Sequence, residues 1–192
     1  MRNARGLIIE VAEVVILALL LVLVIRLVVQ NIHVYGLSMY PTLHNNDDVV
    51  TLKLPYYFSS PNRGDIVILK DPYDPSQDFI KRVIGMPGDR LLIQDGKISI
   101  NGHVLAEPYL QGTEPWSDTW PASDQPRQLG SDEFFVMGDN RNYSSDSRMF
   151  GPIKRNQIES HAWLRILPLN HFGWFGGPPP SITNQQLQPN DS

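Results

Sequence analysis

Ser38 is the first residue that could take part in chemistry, and its neighbours include Gly36 and Pro41. Glycine and proline fix a non-helical backbone that can leave a hydroxyl and adjacent N–H groups exposed. The same composition is typical of an ordinary turn, in which a serine has no chemical role. Tyr40 also stands where a nucleophile elbow, Gly-x-Ser-x-Gly, has its second glycine. Ser38 is therefore either a nucleophile held in a turn or a plain turn residue.

Two cations lie side by side in an otherwise apolar segment, Phe79–Ile84. If this segment is a strand, Lys81 and Arg82 point to opposite faces, each among apolar neighbours. Long cationic side chains usually reach water past such neighbours. A lysine held in an apolar pocket instead loses its proton more easily, because desolvation penalises the ammonium. Its neutral amine could then act as a general base.

A third segment, Gly138–Arg148, is almost entirely polar. So many hydrogen-bonding groups are tolerated only where they satisfy one another. A calcium-binding loop is the main alternative, but a loop starting at Asp139 would lack the glycine at its sixth position and the glutamate at its twelfth. The chain also has no cysteine, which excludes disulfides and thiolate ligands. We therefore predict no metal site and no cofactor.

The apolar segment Leu7–Val29 is long enough to cross a membrane as a helix. Its three charges, Glu10, Glu13 and Arg26, lie near its ends, where side chains can reach the headgroups. A buried core helix would show a polar stripe, and a cleaved signal peptide would end in a small-x-small site. The segment has neither feature. We predict an uncleaved membrane anchor within residues 1–30.

Charge distribution predicts the orientation of this anchor and limits the partners of the rest. Arg2 and Arg5 precede the apolar segment, whereas no Lys or Arg occurs between Leu27 and Lys53. The positive-inside rule then places the amino terminus in the cytoplasm. Beyond residue 30 the chain carries 13 Lys and Arg against 18 Asp and Glu. An acidic domain of this kind argues against nucleic-acid binding.

The remaining sequence consists of short apolar runs separated by turn signals, a pattern typical of a mainly β domain. Asp95-Gly96 is a strong hairpin signal between two of these runs. We assign residues 31–175 to this domain. The predicted strands are Asp48–Lys53, Asp65–Lys70, Phe79–Ile84, Arg90–Gln94, Lys97–Ile100, Glu133–Met137 and Ala162–Leu167.

Two segments do not fit the strand pattern. Gly112–Gly130 is polar and contains three prolines, which predicts a long excursion from the sheet. Residues 176–192 are rich in Pro, Gln and Asn and have few apolar side chains to pack, which predicts a disordered tail.

Four segments together resemble the motifs of the type I signal peptidases, membrane-bound Ser/Lys proteases that remove signal peptides from exported proteins. They are Ser-Met-Tyr-Pro-Thr-Leu at 38–43, Arg-Gly-Asp-Ile-Val at 63–67, Lys-Arg-Val-Ile-Gly-Met-Pro-Gly-Asp at 81–89 and Gly-Asp-Asn-Arg-Asn-Tyr-Ser-Ser-Asp-Ser-Arg at 138–148. The resemblance covers the order and spacing of the motifs and extends to about Ile153. It implies a mainly β fold, in which one transmembrane helix precedes an antiparallel β catalytic domain.

The resemblance also implies roles for single residues. Ser38 would be the nucleophile, Lys81 the general base and Ser144 the residue that orients the Lys81 amine. Many family members have a serine that helps to hold the oxyanion at the position of Gly36. Here oxyanion stabilisation would depend on backbone donors, mainly the Ser38 N–H. A structural ion-pair network would comprise Arg82, Asp139, Asp146 and Arg148.

The implied substrates are pre-proteins that carry a signal peptide. Shallow apolar pockets would accept small side chains at the first and third positions before the cut. These pockets would be lined by Val34, Met39, Phe79 and Ile80. The implied protein is a monomer without cofactor or bound nucleic acid.

The implied location is the plasma membrane, with a thylakoid membrane as the alternative, and the catalytic domain lies on the extracytoplasmic side. The family fold includes an apolar patch that dips into the bilayer. Aromatic residues suited to such an interface are Tyr56, Tyr57, Phe58, Trp116 and Trp120.

Three alternatives remain open at this point. A self-cleaving repressor-type Ser/Lys protease is disfavoured by the amino-terminal anchor and the acidic domain. A membrane-tethered binding module with an inactive site is disfavoured because Ser38 and Lys81 are both present. A Ser-His-Asp arrangement is possible in principle, but the five histidines lie outside the matching segments.

Overall fold

A computed structural model describes residues 4–123, 125–175 and 179–186. Its first element is helix α1 (Ala4–Val28). The span Ile8–Val28 has a mean hydropathy of 3.0, is long enough to cross a membrane, and is not buried inside the protein. The predicted apolar helix is confirmed, and its exposed surface fits a membrane anchor. Arg2, used above for orientation, lies outside the described residues.

The rest of the described chain is mainly β, as predicted. Its strands are β1 (Val29–His33), β2 (Asp48–Leu52), β3 (Ile66–Lys70), β4 (Asp78–Gly85), β5 (Arg90–Gln94), β6 (Lys97–Ile100), β7 (His103–Ala106), β8 (Arg127–Gln128), β9 (Glu133–Met137), β10 (Ile153–Lys154), β11 (Ile158–Leu167), β12 (Gly173–Trp174) and β13 (Ser181–Gln186). Short helices are α2 (Pro55–Phe58) and α3 (Ser147–Phe150), together with 3₁₀ turns at Pro108–Leu110, Arg141–Tyr143, Arg155–Gln157 and Leu169–His171.

The strands form two sheets, and their pairings are antiparallel. The larger sheet has the order β1-β2-β11-β3-β4-β9-β10, with β12 beside β11. The smaller has the order β13-β7-β6-β5-β8. This arrangement confirms the predicted fold class.

Strand β1 follows α1 without a linker. Val29 pairs with Leu52, and the Lys53 N–H donates a hydrogen bond of 2.9 Å to the Val28 carbonyl. The strand therefore starts inside the apolar segment that the sequence assigns to the anchor. The last residue of the helix is bonded directly to the β domain.

Strand β4 lies inside the larger sheet and carries both Lys81 and Arg82. Lys81 is opposite Val67 of β3, and Arg82 is opposite Met137 of β9. Every residue from Ile80 to the end of β4 is buried. Because side chains alternate along a strand, the two cations leave β4 on opposite faces while both stay inside the protein.

The excursion over residues 112–130 is anchored by Trp120. Its backbone forms a bridge with Ile93, its ring centroid lies 4.4 Å from that of Phe135, and it is only 8% exposed. The interpretation of Trp120 as a membrane-interface residue is therefore wrong, because the side chain belongs to the core of the smaller sheet.

The carboxy-terminal tail is not disordered over all of its length. Strand β13 pairs with β7, and the Thr183 hydroxyl donates to the Val104 carbonyl at 2.8 Å. The preceding Pro180 is buried. Backbone hydrogen bonds to a free sheet edge need no apolar side chains. The polar composition therefore wrongly predicted disorder for this strand. Residues 176–178 and 187–192 lie outside the described residues.

Candidate active site

Ser38 lies in the loop of residues 34–47 that joins β1 to β2. Three apolar side chains of this loop, Val34, Met39 and Leu43, are buried in one core cluster with Ile80 of β4. The backbone of the loop is also fixed, since the Ser38 carbonyl accepts a hydrogen bond of 2.9 Å from the Asn140 N–H. Core packing and one backbone bond therefore position the Ser38 hydroxyl.

Lys81 meets this hydroxyl from β4. Its Nζ lies 3.0 Å from Ser38 Oγ, and its side chain is 3% exposed. Burial lowers the pKa of Lys81 from 10.5 to about 8, although the more distant charges of Asp146 and Asp139 oppose the shift. The Phe79 ring contributes to the apolar wall, 4.9 Å from Nζ. A serine hydroxyl thus lies within hydrogen-bond reach of an amine that is partly neutral near neutral pH, an arrangement that can activate the hydroxyl as a nucleophile.

Ser144 is close to this pair, but its predicted hydrogen bond to Lys81 is not formed. Its buried Oγ has no hydrogen-bond partner among the described residues. Gly138 explains the closeness: a Cβ at that position would lie 2.3 Å from Ser144 Oγ and 2.4 Å from the Ser38 carbonyl oxygen. Only glycine permits this approach, and the orienting role of Ser144 stays a prediction.

Arg82 and Asp139 form a buried ion pair beside the site. Two hydrogen bonds of 2.8 and 2.6 Å join the guanidinium to the carboxylate, and Arg82 also donates to the Gly64 carbonyl. Burial alone would lower the pKa of Arg82, but the bonds to Asp139 and its charge raise the pKa overall. Thr42 adds a hydroxyl donor to Asp139, which connects the pair to the Ser38 loop.

Asp146 and Arg148 form a second pair. Arg148 donates to the two carboxylate oxygens at 2.8 and 2.9 Å. Asp146 also accepts the Gly138 N–H at 3.1 Å and caps α3 by accepting the Arg148 N–H. The four residues predicted as one ion-pair network therefore form two separate pairs. Both pairs hold the segment that contains Gly138.

A cleft of about 510 Å³ opens beside Ser38 and Lys81. It is lined by segments 31–35, 38–39 and 77–81, together with Ser145. The four side chains predicted for the apolar pockets all lie on its wall: Val34, Met39, Phe79 and Ile80. The β4 residues that line the cleft precede Arg82, the first residue of β4 in the register with β9.

The family that the sequence matches is consistent with this arrangement of Ser38 and Lys81. A sequence profile of the family described as signal peptidase, peptidase S26, matches residues 8–167. This range includes all four motifs and both sheets except β12 and β13.

The chain belongs to the signal peptidase family.

Its relatives carry the same name at substantial identity. A signal peptidase I of Leptolyngbya laminosa is 39% identical over 149 residues, which cover 74% of this chain and 70% of the relative. A probable signal peptidase I-1 of Synechocystis is 36% identical, covering 87% and 86%. Signal peptidase I S of Bacillus subtilis is 34% identical, covering 86% and 92%. The predicted enzyme class is therefore confirmed: this is a peptidase of the family that cleaves signal peptides.

A buried ion pair that the sequence did not reveal joins Arg141 to Glu107. Arg141 donates to both carboxylate oxygens of Glu107, and its Nε donates to the Gly138 carbonyl at 3.0 Å. Arg141 lies inside the fourth motif and could have been suspected on that ground. Glu107 follows β7 in the smaller sheet, and nothing in its local sequence signals the contact.

A second, more polar recess of about 350 Å³ lies next to the cleft of this peptidase. The segment 35–40 contributes Tyr35, Ser38 and Met39 to the cleft and Tyr40 to the recess. Similarly, segment 140–145 contributes Ser145 to the cleft and its first four residues to the recess. Residues 112–114 of the excursion form the third wall of the recess.

Proposed function

We propose that this protein is a membrane-anchored serine endopeptidase that removes signal peptides from exported pre-proteins through a Ser/Lys dyad and an acyl-enzyme. The observation that carries the proposal is the 3.0 Å contact between Lys81 Nζ and Ser38 Oγ. Family membership supports the substrate class.

Lys81 acts as the general base in its neutral form. It accepts the Ser38 proton as Oγ attacks the scissile carbonyl carbon, and the resulting ammonium then protonates the leaving amine as the C–N bond breaks. A water molecule, deprotonated by the same amine, hydrolyses the acyl-enzyme and restores Ser38. Since the pKa of Lys81 is about 8, a useful fraction of the amine is neutral at mildly alkaline pH.

Two groups complete this mechanism. The proposed role of Ser144, whose buried Oγ has no partner among the described residues, is to hydrogen-bond the Lys81 amine and fix the direction of the nitrogen lone pair. The Ser38 N–H is the main donor to the oxyanion, because Gly36 supplies no hydroxyl. Gly36 has φ +88°, a conformation that side-chain-bearing residues rarely adopt, so the loop itself disfavours a serine there.

The substrate lies along the cleft, with its residues before the cut against the apolar wall. Val34, Met39, Phe79 and Ile80 leave shallow pockets that suit Ala at the first and third positions. The residues after the cut lie in the adjacent polar recess, because the same two chain segments wall both cavities.

The membrane assignment follows from α1 and from charge. The helix crosses the plasma membrane or a thylakoid membrane once, the amino terminus with Arg2 and Arg5 is cytoplasmic, and the catalytic domain is extracytoplasmic. The protein works as a monomer in contact with the bilayer and needs no metal or cofactor for cleavage.

The test is cleavage of a signal-bearing precursor by the full chain in detergent. Ser38→Ala should abolish cleavage without lowering the melting temperature, because a half-buried hydroxyl contributes little packing. Wild-type activity should rise with pH through about 8, where Lys81 becomes neutral. Parallel loss of activity and stability in Ser38→Ala would make Ser38 a structural residue and contradict the proposal.

A further inference from the structure

A second cluster of titratable side chains lies outside the dyad and the substrate cleft. It consists of His44 and Asp47 of the Ser38 loop, and His171 at the end of the 3₁₀ turn that follows β11. One nitrogen of each imidazole and one carboxylate oxygen lie within 4.8 Å of one another. The two imidazole rings face each other at a tilt of 33°, with centroids 5.0 Å apart.

The same three residues carry buried polar atoms without partners. His44 Nδ1, Asp47 Oδ1 and His171 Nδ1 make no hydrogen bond, and they are three of the six such side-chain atoms in the described part of the chain. Buried polar atoms are rarely left in this condition in folded proteins. Three of them at one place indicate a binding partner that satisfies all three.

The cluster is held in place by neighbours that leave these atoms free. Arg165 donates to Asp47 Oδ2 at 3.0 Å, and its Nε donates to the His171 carbonyl at 2.6 Å. The backbone N–H of His44 donates to the same Asp47 oxygen at 2.9 Å. Asp47 Oδ2, which also lies 3.9 Å from His44 Nδ1, is therefore committed to these donors, whereas Oδ1 accepts no hydrogen bond from the described residues. One guanidinium positions both the carboxylate and the His171 turn.

We propose that His44, Asp47 and His171 bind a divalent transition-metal ion of the kind that prefers imidazole, with Zn²⁺ as the reference ion. Two imidazoles and one carboxylate, with a fourth position left for water, are a common zinc donor set. Tetrahedral ligands at normal zinc distances lie about 3.4 Å apart, so the cluster must contract. The partly exposed His44 side chain has room to move.

The charge of the cluster sets the expected strength of binding. Arg165 already offsets the negative charge of Asp47, so binding should be weaker than at a site with an unpaired carboxylate. The ion would connect the Ser38 loop to the end of β11. This inference concerns a structural site and does not depend on the proposed catalytic mechanism.

The experiment is a Zn²⁺ titration of the metal-free full chain in detergent by calorimetry, with Co²⁺ absorption as a report of ligand geometry. One Zn²⁺ should bind per chain and raise the melting temperature, because the ion binds only the folded state. His171→Gln and His44→Gln should each weaken binding at least about tenfold. His103→Gln is the matched control, since His103 also has an unpartnered Nδ1 but lies on β7, outside the cluster.

Failure of the wild-type chain to take up Zn²⁺ at submillimolar concentration would overturn the proposal. Equal binding by wild type and by a folded cluster variant would overturn it as well. If His171→Gln does not fold, His44→Gln decides, because the His44 side chain is about 40% exposed and its loss is compatible with folding. Precursor cleavage by the same preparations tests the catalytic proposal separately.

Discussion

Lys81 and Arg82 are neighbours on β4, and both are buried, with 3% and 8% exposure. Because they lie on opposite faces of the strand, the two side chains have different partners. Lys81 meets the neutral hydroxyl of Ser38, and its pKa falls to about 8. Arg82 meets the carboxylate of Asp139, and its pKa rises.

The comparison shows that burial alone does not determine the charge of a group. Within the described residues, no carboxylate forms an ion pair with Lys81, so desolvation decides its protonation. Across the strand an ion pair compensates the same desolvation. One strand thus carries a partly neutral amine on one face, as the proposed general base requires, and a paired permanent charge on the other.

The largest expected effect comes from removing the uncompensated cation. Lys81→Met keeps length and apolar packing but has no base, and should lower kcat/KM more than about 10⁴-fold. Lys81→Arg should be equally inactive, because a guanidinium stays protonated. Lys97→Met, at an exposed lysine, is the control and should keep full activity. The measurement is precursor cleavage against pH.

Substantial activity of Lys81→Met with an unchanged alkaline limb would show that another group is the base. His33 would then be the better candidate, since it lines the cleft and its Nδ1 lies 2.8 Å from the Asp48 carboxylate.

Breaking the pair on the other face should mainly affect stability. Asp139→Asn leaves the Arg82 charge buried without a counterion, which should lower the free energy of unfolding by about 3–5 kcal/mol. Asp78→Asn removes a partly exposed carboxylate that pairs with Lys70, and should change the free energy of unfolding by less than about 1 kcal/mol. Chemical unfolding of the two variants measures the difference. Equal effects would mean that the buried pair is not a brace.

Removal of Lys81 should have the opposite effect on stability. In the folded chain its pKa is about 8, and in the unfolded chain it returns to about 10.5. Between these values the unfolded chain binds more protons, so this group makes stability rise with pH, and below pH 8 the buried ammonium destabilises the fold by up to about 3 kcal/mol.

Lys81→Met should therefore be more stable than wild type at pH 7, and the difference should shrink as the pH approaches 10. Chemical unfolding at several pH values measures this, with Lys97→Met again as the control. A difference that does not depend on pH would contradict the assigned protonation behaviour.

The smallest effect is expected at Ser144, whose proposed role is to orient the amine. Ser144→Ala prevents the proposed hydrogen bond to Lys81, worth about 1 kcal/mol, so kcat should fall several-fold to about tenfold while KM changes little. Ser117→Ala, at an exposed serine, provides the comparison. An unchanged kcat in Ser144→Ala would remove this residue from the mechanism.

Local sequence signals predicted seven of the thirteen strands that the structure describes. The bounds of β5, β6 and β9 agree with the prediction to the residue, because a short apolar run defines each strand locally and the Asp95-Gly96 turn separates β5 from β6. Strand β1 was missed because its first residue continues an apolar run that reads as helix. Strand β13 was missed because its stability comes from a sheet edge formed far away in the sequence.

The candidate site was predictable only in part. Periodicity placed Lys81 and Arg82 on opposite faces of a strand, whereas the resemblance to a known family was needed to bring Ser38 to Lys81. The pairing of Arg141 with Glu107 depends on how the two sheets meet, which no local pattern records. The sequence also could not predict that Ser144 Oγ has no hydrogen-bond partner among the described residues, because its surroundings depend on how Gly138 packs.

The direct joint between α1 and β1 has a consequence for how substrates are found. Ser38 lies ten residues after Val28, and those residues belong to a paired strand and a fixed loop. With the helix in a bilayer, the distance from the lipid surface to Ser38 is set by the protein itself. If Ser38 is the nucleophile, as proposed, substrate is met in a thin layer at one height above the membrane, and a cleavage site held at another depth goes uncut.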